Sequence, residues 1–171
     1  MIDLHCHFLP GIDDGARDLA EALAMARHAV ASGITHSVLT PHQHYGRYEN
    51  DALSIAIAFK LFQQSLADEA IPLQIGYAAE VRIVPEIVSW VEQGLIPFLG
   101  RKGDKDLLLL ELPHSHIPAG TQNMVSWLVA HNIVPVIAHP ERNKEVMGDA
   151  KKIIPLYNLG CLFQLTAGAV A

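Results

Sequence analysis

The chain has 171 residues, half of them hydrophobic, and a formal net charge of -6. That length suffices for a single domain with a sizeable core, and the mildly acidic balance without a basic run argues against a nucleic-acid partner. No apolar stretch is long enough to span a membrane, and Asp3, His5 and His7 interrupt the only candidate for a signal peptide. Two cysteines, Cys6 and Cys161, make no disulfide framework and point to a reducing, cytoplasmic setting. The anomaly is histidine, present ten times against 12 lysines and arginines, and it points to metal.

In chain order, a strand over 1–7 ("MIDLHCH") is followed by a glycine-flanked loop holding Asp13 and Asp14. Asp18 then caps a helix over 19–32 ahead of the Gly33 stop. A strand over 35–40 runs into "PHQH", and a helix over 51–68 leads to a strand over 73–80 that ends in Glu80. After a helix over 85–93 comes "DLLLLEL" at 106–112, a strand that carries Glu111. A helix over 122–131, a strand over 133–139 ending in His139, a helix over 144–159 closed by Gly160 and a strand over 161–165 complete the chain. The strand runs are continuously apolar, as expected when both faces are buried. Regular β-α alternation predicts a parallel sheet with right-handed crossovers, either doubly wound or a β/α barrel. "GIDDG" is not the glycine fingerprint of a dinucleotide turn, so the doubly wound form loses its usual support.

Five successive strands each deliver a metal-type residue to the same sheet edge: His5 and His7, then His42, Glu80, Glu111 and His139. In a β/α barrel that edge builds the active site. Residues two apart on a strand share a face, so His5 and His7 can grip one ion together. A carboxylate beside "LLLL" is costly to bury unpaired, and a cation removes the cost. Cys6 points opposite its histidine neighbours and, like Cys161, is expected in the core. Histidines and carboxylates without thiolates suit Mn, Fe or Zn in a catalytic site. The donor set exceeds the needs of one ion, so two or three are expected, with Glu80 as the bridge. Such clusters hydrolyse phosphate esters by acidifying water and holding substrate oxygens.

"DLHCHFLPGIDDG", "TPHQHYGRYEN", "LLELP", "PVIAHPERN" and "QLTAGA" together resemble the PHP (polymerase and histidinol phosphatase) superfamily. Within it they are similar to the bacterial tyrosine-protein phosphatases that regulate capsule and exopolysaccharide synthesis. The resemblance implies a distorted TIM-like β/α barrel with manganese as the preferred metal. Apart from the resemblance, His44, Asp14 or a water can assist proton transfer; the resemblance itself implies His5, His7, Asp14, His42, Glu80, Glu111 and His139 as metal ligands, with Arg142 on the phosphoryl group. A guanidinium fork suits that role, since it matches phosphate oxygens and offsets transition-state charge. The implied substrate is the tyrosine-rich tail of a polysaccharide co-polymerase kinase.

Family members normally continue through further β/α units that add a late Asp-x-His pair and another arginine. The expectation is therefore one C-terminally truncated domain over 1–171, about six strands of an incomplete barrel, impaired turnover and an open edge that invites a second copy. A small-molecule phosphatase such as a histidinol phosphatase is the alternative. An amidohydrolase-type barrel would leave both glutamates without a role. A cysteine phosphatase is excluded: the sixth residue after the thiol must be arginine, but here it is Ile12 or Ala167.

Overall fold

The computed structural model describes residues 1–169. Its elements, in order, are β1 (Ile2–Cys6), α1 (Leu19–Ala31), β2 (His36–Leu39), β3 (His42–Gln43), α2 (Ala52–Asp68), β4 (Gln74–Tyr77) and β5 (Glu80–Arg82). There follow α3 (Ile87–Glu92), β6 (Gly100–Lys102), β7 (Lys105–Glu111), α4 (Thr121–Ala130), β8 (Ile133–Ala138), α5 (Lys144–Gly148), α6 (Ile154–Asn158) and β9 (Leu162–Gln164). Local chemistry sets several boundaries. Asp18 accepts from the Glu21 N–H to start α1, and Asp51 and Ser54 form a capping box at the start of α2. Each such cap contributes about 1 kcal/mol.

The strands form two sheets, β1-β2-β4 and β3-β5-β7-β8-β9, with every neighbouring pair in those orders parallel. The chain passes from the first sheet to the second at two points and returns to the first once, through α2. Thr40 and Pro41 separate β2 from β3, and Ala78 and Ala79 separate β4 from β5. The expected strand over 73–80 is thus two strands, and Glu80 opens the second rather than ending the first. The break arises because the Ala78 N–H still bonds to Leu39, whereas the Ala79 N–H turns to Pro97 and the Glu80 N–H to Pro41. The short strand β6 pairs antiparallel with β7 around Gly103, whose φ of 65° supplies the turn; this hairpin is absent from the sequence expectation.

The α/β fold with parallel strands is as expected. The sheet order runs from β1 through the two crossing points to β9, and among the described residues β1 and β9 are not paired with each other. Burial on both faces holds for β7 and β8 but not for β1, an edge strand on which Ile2 and Leu4 are exposed. The helix expected over 144–159 is broken into α5, a 3-10 turn and α6. Asp149 is extended there and caps the following turn through the Lys151 N–H, while Pro155 can only begin a helix.

Alternation on β7 positions the centre. Leu108 and Leu110 pack in the main core with Phe62, Leu128 and Ile137, as do the two cysteines. Leu109 packs on the opposite face with Val136 and Ala138. Glu111 shares the Leu109 face, so it stands on a buried apolar floor. No helix among the described residues is long and apolar enough to cross a membrane.

Candidate metal centre

The centre begins at the end of β1 and in the loop that follows it. His5 and His7 face the same side, with their Nε2 atoms 3.3 Å apart. Asp13 folds back beneath them: one oxygen accepts from His7 Nδ1 at 2.6 Å and from the His42 N–H at 3.0 Å, the other from the Gly15 N–H at 2.9 Å. Its side chain is fully buried, so Asp13 anchors the loop. Asn50 adds a second tie by donating to the carbonyls of Ile12 and His42. Asp14, the neighbour, is half-exposed and sits 3.2 Å from His42 Nε2.

Glu80 is the hub. One oxygen lies 3.2, 3.3 and 3.1 Å from nitrogens of His5, His7 and His42, and the other lies 2.7 Å from His139 Nε2. Four imidazoles from three other strand ends thus surround one carboxylate that is 0% exposed. Strict alternation along β8 would send His139 away from the Ala138 face. Its backbone is left-handed instead (φ 30°, ψ 56°), which re-aims the ring at Glu80. A non-glycine residue in that region carries roughly 1–3 kcal/mol of strain, an investment typical of functional sites.

All seven expected ligands and Arg142 line one cavity of about 400 Å³, together with His114, Gln164 and Thr166. Three overlapping groups have ligand atoms within 4.8 Å of one another: His5/His7/Glu80, His7/Asp14/His42 and His42/Glu80/Glu111. His42 Nδ1, Glu80 Oε2 and Glu111 Oε2, one atom from each member of the third group, are buried without a well-formed hydrogen bond and make only ion-pair contacts of 3.1 Å or longer. Leaving such groups unmatched costs about 1–3 kcal/mol each, more when charged. A dication among them would satisfy all three, so the donor set fits divalent metal. No sulfur contributes, which matches oxygen- and nitrogen-preferring ions.

Comparison with known proteins agrees with this geometry. The family profile described as "Capsular polysaccharide synthesis, CpsB/CapC" matches residues 1–171. The chain belongs to the CpsB/CapC family. It is 38% identical over 171 residues to the tyrosine-protein phosphatase YwqE of Bacillus subtilis (strain 168), covering 100% of this chain and 66% of that protein. It is 30% identical over 170 residues to CapC of Staphylococcus aureus, covering 99% of this chain and 66% of that relative. The chain therefore spans about two thirds of the length of these curated relatives. A solved structure superposes with a TM-score of 0.90 at 35% identity, covering 99% of this chain and 68% of that one. It belongs to work on YwqE from Bacillus subtilis and CpsB from Streptococcus pneumoniae, described as unique metal-dependent tyrosine phosphatases.

In this CpsB/CapC chain the motif "HPERN" resolves into separate tasks. His139 faces Glu80, and Glu141 accepts from the N–H and hydroxyl of Thr166 at 3.0 and 2.7 Å. Arg142 is exposed at the cavity mouth. Asn143 caps α5 and donates to the Pro113 carbonyl at 2.7 Å.

Three residues of the site are missing from the sequence expectation. Asp13 there is only a loop residue, Gln164 only part of a motif, and Arg82 is not singled out at all. Arg82 faces Glu111 across the β5–β7 register, with Nε 3.1 Å from the carboxylate. Its signal was present, since it stands two residues after Glu80 and shares that face. His114 reaches the cavity, whereas His44 bridges to Tyr48, whose ring stacks on His42 at 5.5 Å.

The protonation pattern shows a cluster seeking positive charge. Burial opposes the charged form of His7, but bonds to Asp13 and Glu80 outweigh it and carry its pKa up to about 10. Burial, reinforced by the Glu80 charge, pushes Glu111 up to about 7. Glu80 is held far below the carboxylate range because its histidine hydrogen bonds outweigh burial. Unfolded, Glu111 ionises near 4.5. In the metal-free chain its shift therefore opposes folding, a penalty absent below 4.5 that grows toward 7 and stays constant above. A cation needs the carboxylate and the free imidazole, so both protons must leave on binding. Mn²⁺ affinity is expected to rise with pH most steeply below 7, where both protons must leave, and less steeply above it, where only the His7 proton remains. Calorimetric titration from about pH 5.5 to 8 checks this, and a flat profile would contradict it.

Proposed function

We propose that this chain carries the chemistry of a metal-dependent protein-tyrosine phosphatase, hydrolysing phosphotyrosine on a protein substrate. The observation that carries the reading is the convergence of His5, His7, His42 and His139 on buried Glu80, with Arg142 at the open mouth. The seven residues His5, His7, Asp14, His42, Glu80, Glu111 and His139 would hold two or three divalent ions, Mn²⁺ being our choice over Fe and Zn. Such ions, when bound, supply an acidified water and a Lewis-acid field for phosphate-ester hydrolysis.

The protein's own groups do the rest. Asp13 and Gln164 orient the paired histidines through their Nδ1 atoms. Arg142, exposed and without a protein partner at its guanidinium among the described residues, receives the phosphoryl oxygens and offsets their charge. A phenolate leaves readily, so little proton donation is required; Asp14, half-exposed beside His42, is placed to assist.

The family's association with capsular polysaccharide synthesis supports a bacterial tyrosine kinase tail as the substrate and a cytoplasmic setting. Residues 1–171 act as one domain in this proposal, with the β1 and β9 edges, not paired with each other among the described residues, open to a second copy. Turnover of a phosphotyrosine peptide with Mn²⁺ is the test, read against histidinol phosphate. Exhaustive chelation is expected to abolish it and readded Mn²⁺ to restore it, whereas thiol alkylation leaves it unchanged because both cysteines are buried away from the cavity. Activity that survives chelation would remove the reading. A longer chain, matching the relatives' full length, is expected to turn over faster than 1–171.

A further inference from the structure

We propose that Gln164 is a positioning residue that fixes the tautomer of His5, acting across the unpaired seam between β1 and β9. The inference rests on the metal-centre reading above. It begins from a single amide at the end of β9.

Gln164 Oε1 lies 2.9 Å from His5 Nδ1 and 3.4 Å from the His139 N–H. Its Nε2 donates to the Leu165 carbonyl at 2.9 Å. An amide can be turned either way, but its neighbours decide. The backbone N–H of His139 can only donate, and the Leu165 carbonyl can only accept. Together they hold the oxygen toward His5. His5 Nδ1 must then carry the proton, and the ring's lone pair falls on Nε2. That atom is 3.2 Å from Glu80 Oε2 and 3.3 Å from His7 Nε2, in the middle of the centre.

Only an unprotonated ring nitrogen binds a cation, and the partner of the other nitrogen sets which one is free. Each member of the histidine pair thus has its own acceptor. His7 has the Asp13 carboxylate, and His5 has an uncharged amide. The second acceptor comes from the far end of the sheet order. β1 and β9 share no ladder, yet a side-chain bond joins their tips, and the same oxygen touches the backbone of His139. Displacing β9 therefore disturbs two histidines of the centre at once.

The test combines long-range ¹H–¹⁵N spectra of the histidine rings, His5 being assigned by its loss in His5→Asn, with calorimetric Mn²⁺ titration. Wild type, Gln164→Leu and Gln164→Glu are compared. Wild-type His5 is expected as the Nδ1–H tautomer. Gln164→Leu is expected to lose that preference and to weaken Mn²⁺ binding roughly tenfold to a hundredfold. Gln164→Glu keeps an acceptor and is expected to keep both the tautomer and most of the affinity. A wild-type His5 protonated at Nε2, or a Leu variant that binds Mn²⁺ as wild type does, overturns the proposal. Should the Leu variant not fold, the wild-type spectrum and the Glu variant still decide. A wild type that shows the Nδ1–H tautomer but binds no Mn²⁺ removes the metal reading and supports the positioning role.

Discussion

Glu80→Gln is expected to abolish Mn²⁺ binding at micromolar metal and to lower phosphatase turnover by about a thousandfold, while the chain still folds. The substitution preserves shape and removes charge from a side chain that is 0% exposed and contacts four imidazoles. Removing one partner of a buried charge pair costs about 3–5 kcal/mol because the remaining charge is left uncompensated. Here the uncompensated charge is the cation itself, and that energy corresponds to two to three powers of ten or more in affinity. Calorimetry with Mn²⁺ and peptide turnover check the two halves separately. In the metal-free chain Asp13 still holds the His7 pKa up, but the same change removes the second contribution, the Glu80 charge, so His7 titrates lower. A Gln variant that keeps wild-type affinity would show that Glu80 does not touch metal.

Gly15→Ala is the second large effect, and it acts through space alone. A Cβ at position 15 would stand 2.2 Å from the His7 carbonyl oxygen and 2.4 Å from His7 Cβ. Neither atom can rotate away, because both are rooted in the backbone beside a residue of the centre. The loop is also closed by bonds from the Ala16 N–H to that same His7 carbonyl and from the Gly15 N–H to Asp13. Overpacking of this kind costs about 1–3 kcal/mol and more where the backbone must move. The variant is therefore expected to unfold at lower denaturant and to bind Mn²⁺ at least about tenfold more weakly, since His7 is displaced. Gly148→Ala is the control: nothing lies within 4 Å of its added Cβ, and it sits in α5. Equal unfolding midpoints for the two alanine variants would refute the close approach.

Much of the centre was legible because strand geometry is local. A period of two puts His5 beside His7 whatever the fold, and parallel β-α alternation sends the ends of successive strands to one edge. The cap Asp18 and the floor of leucines below Glu111 follow from the same short-range rules, whereas Asp51, expected inside its helix, caps it instead.

What was not legible depends on partners far along the chain. Asp13 and Asp14 are adjacent and chemically identical, and only the path of the loop buries one and exposes the other. Arg82 meets Glu111 because the β5–β7 register aligns them, and register is a property of the pair of strands. His139 reaches Glu80 through a left-handed backbone that no periodicity announces. Gln164 finds its partners 159 and 25 residues away, across a seam with no ladder. By itself, then, the sequence determined which donors exist and which end of each strand carries them, because those are matters of composition and short-range geometry. Only the tertiary structure decided which of them share an oxygen, which nitrogen each ring presents and which carboxylate is buried, because long-range packing alone sets distances of about 3 Å.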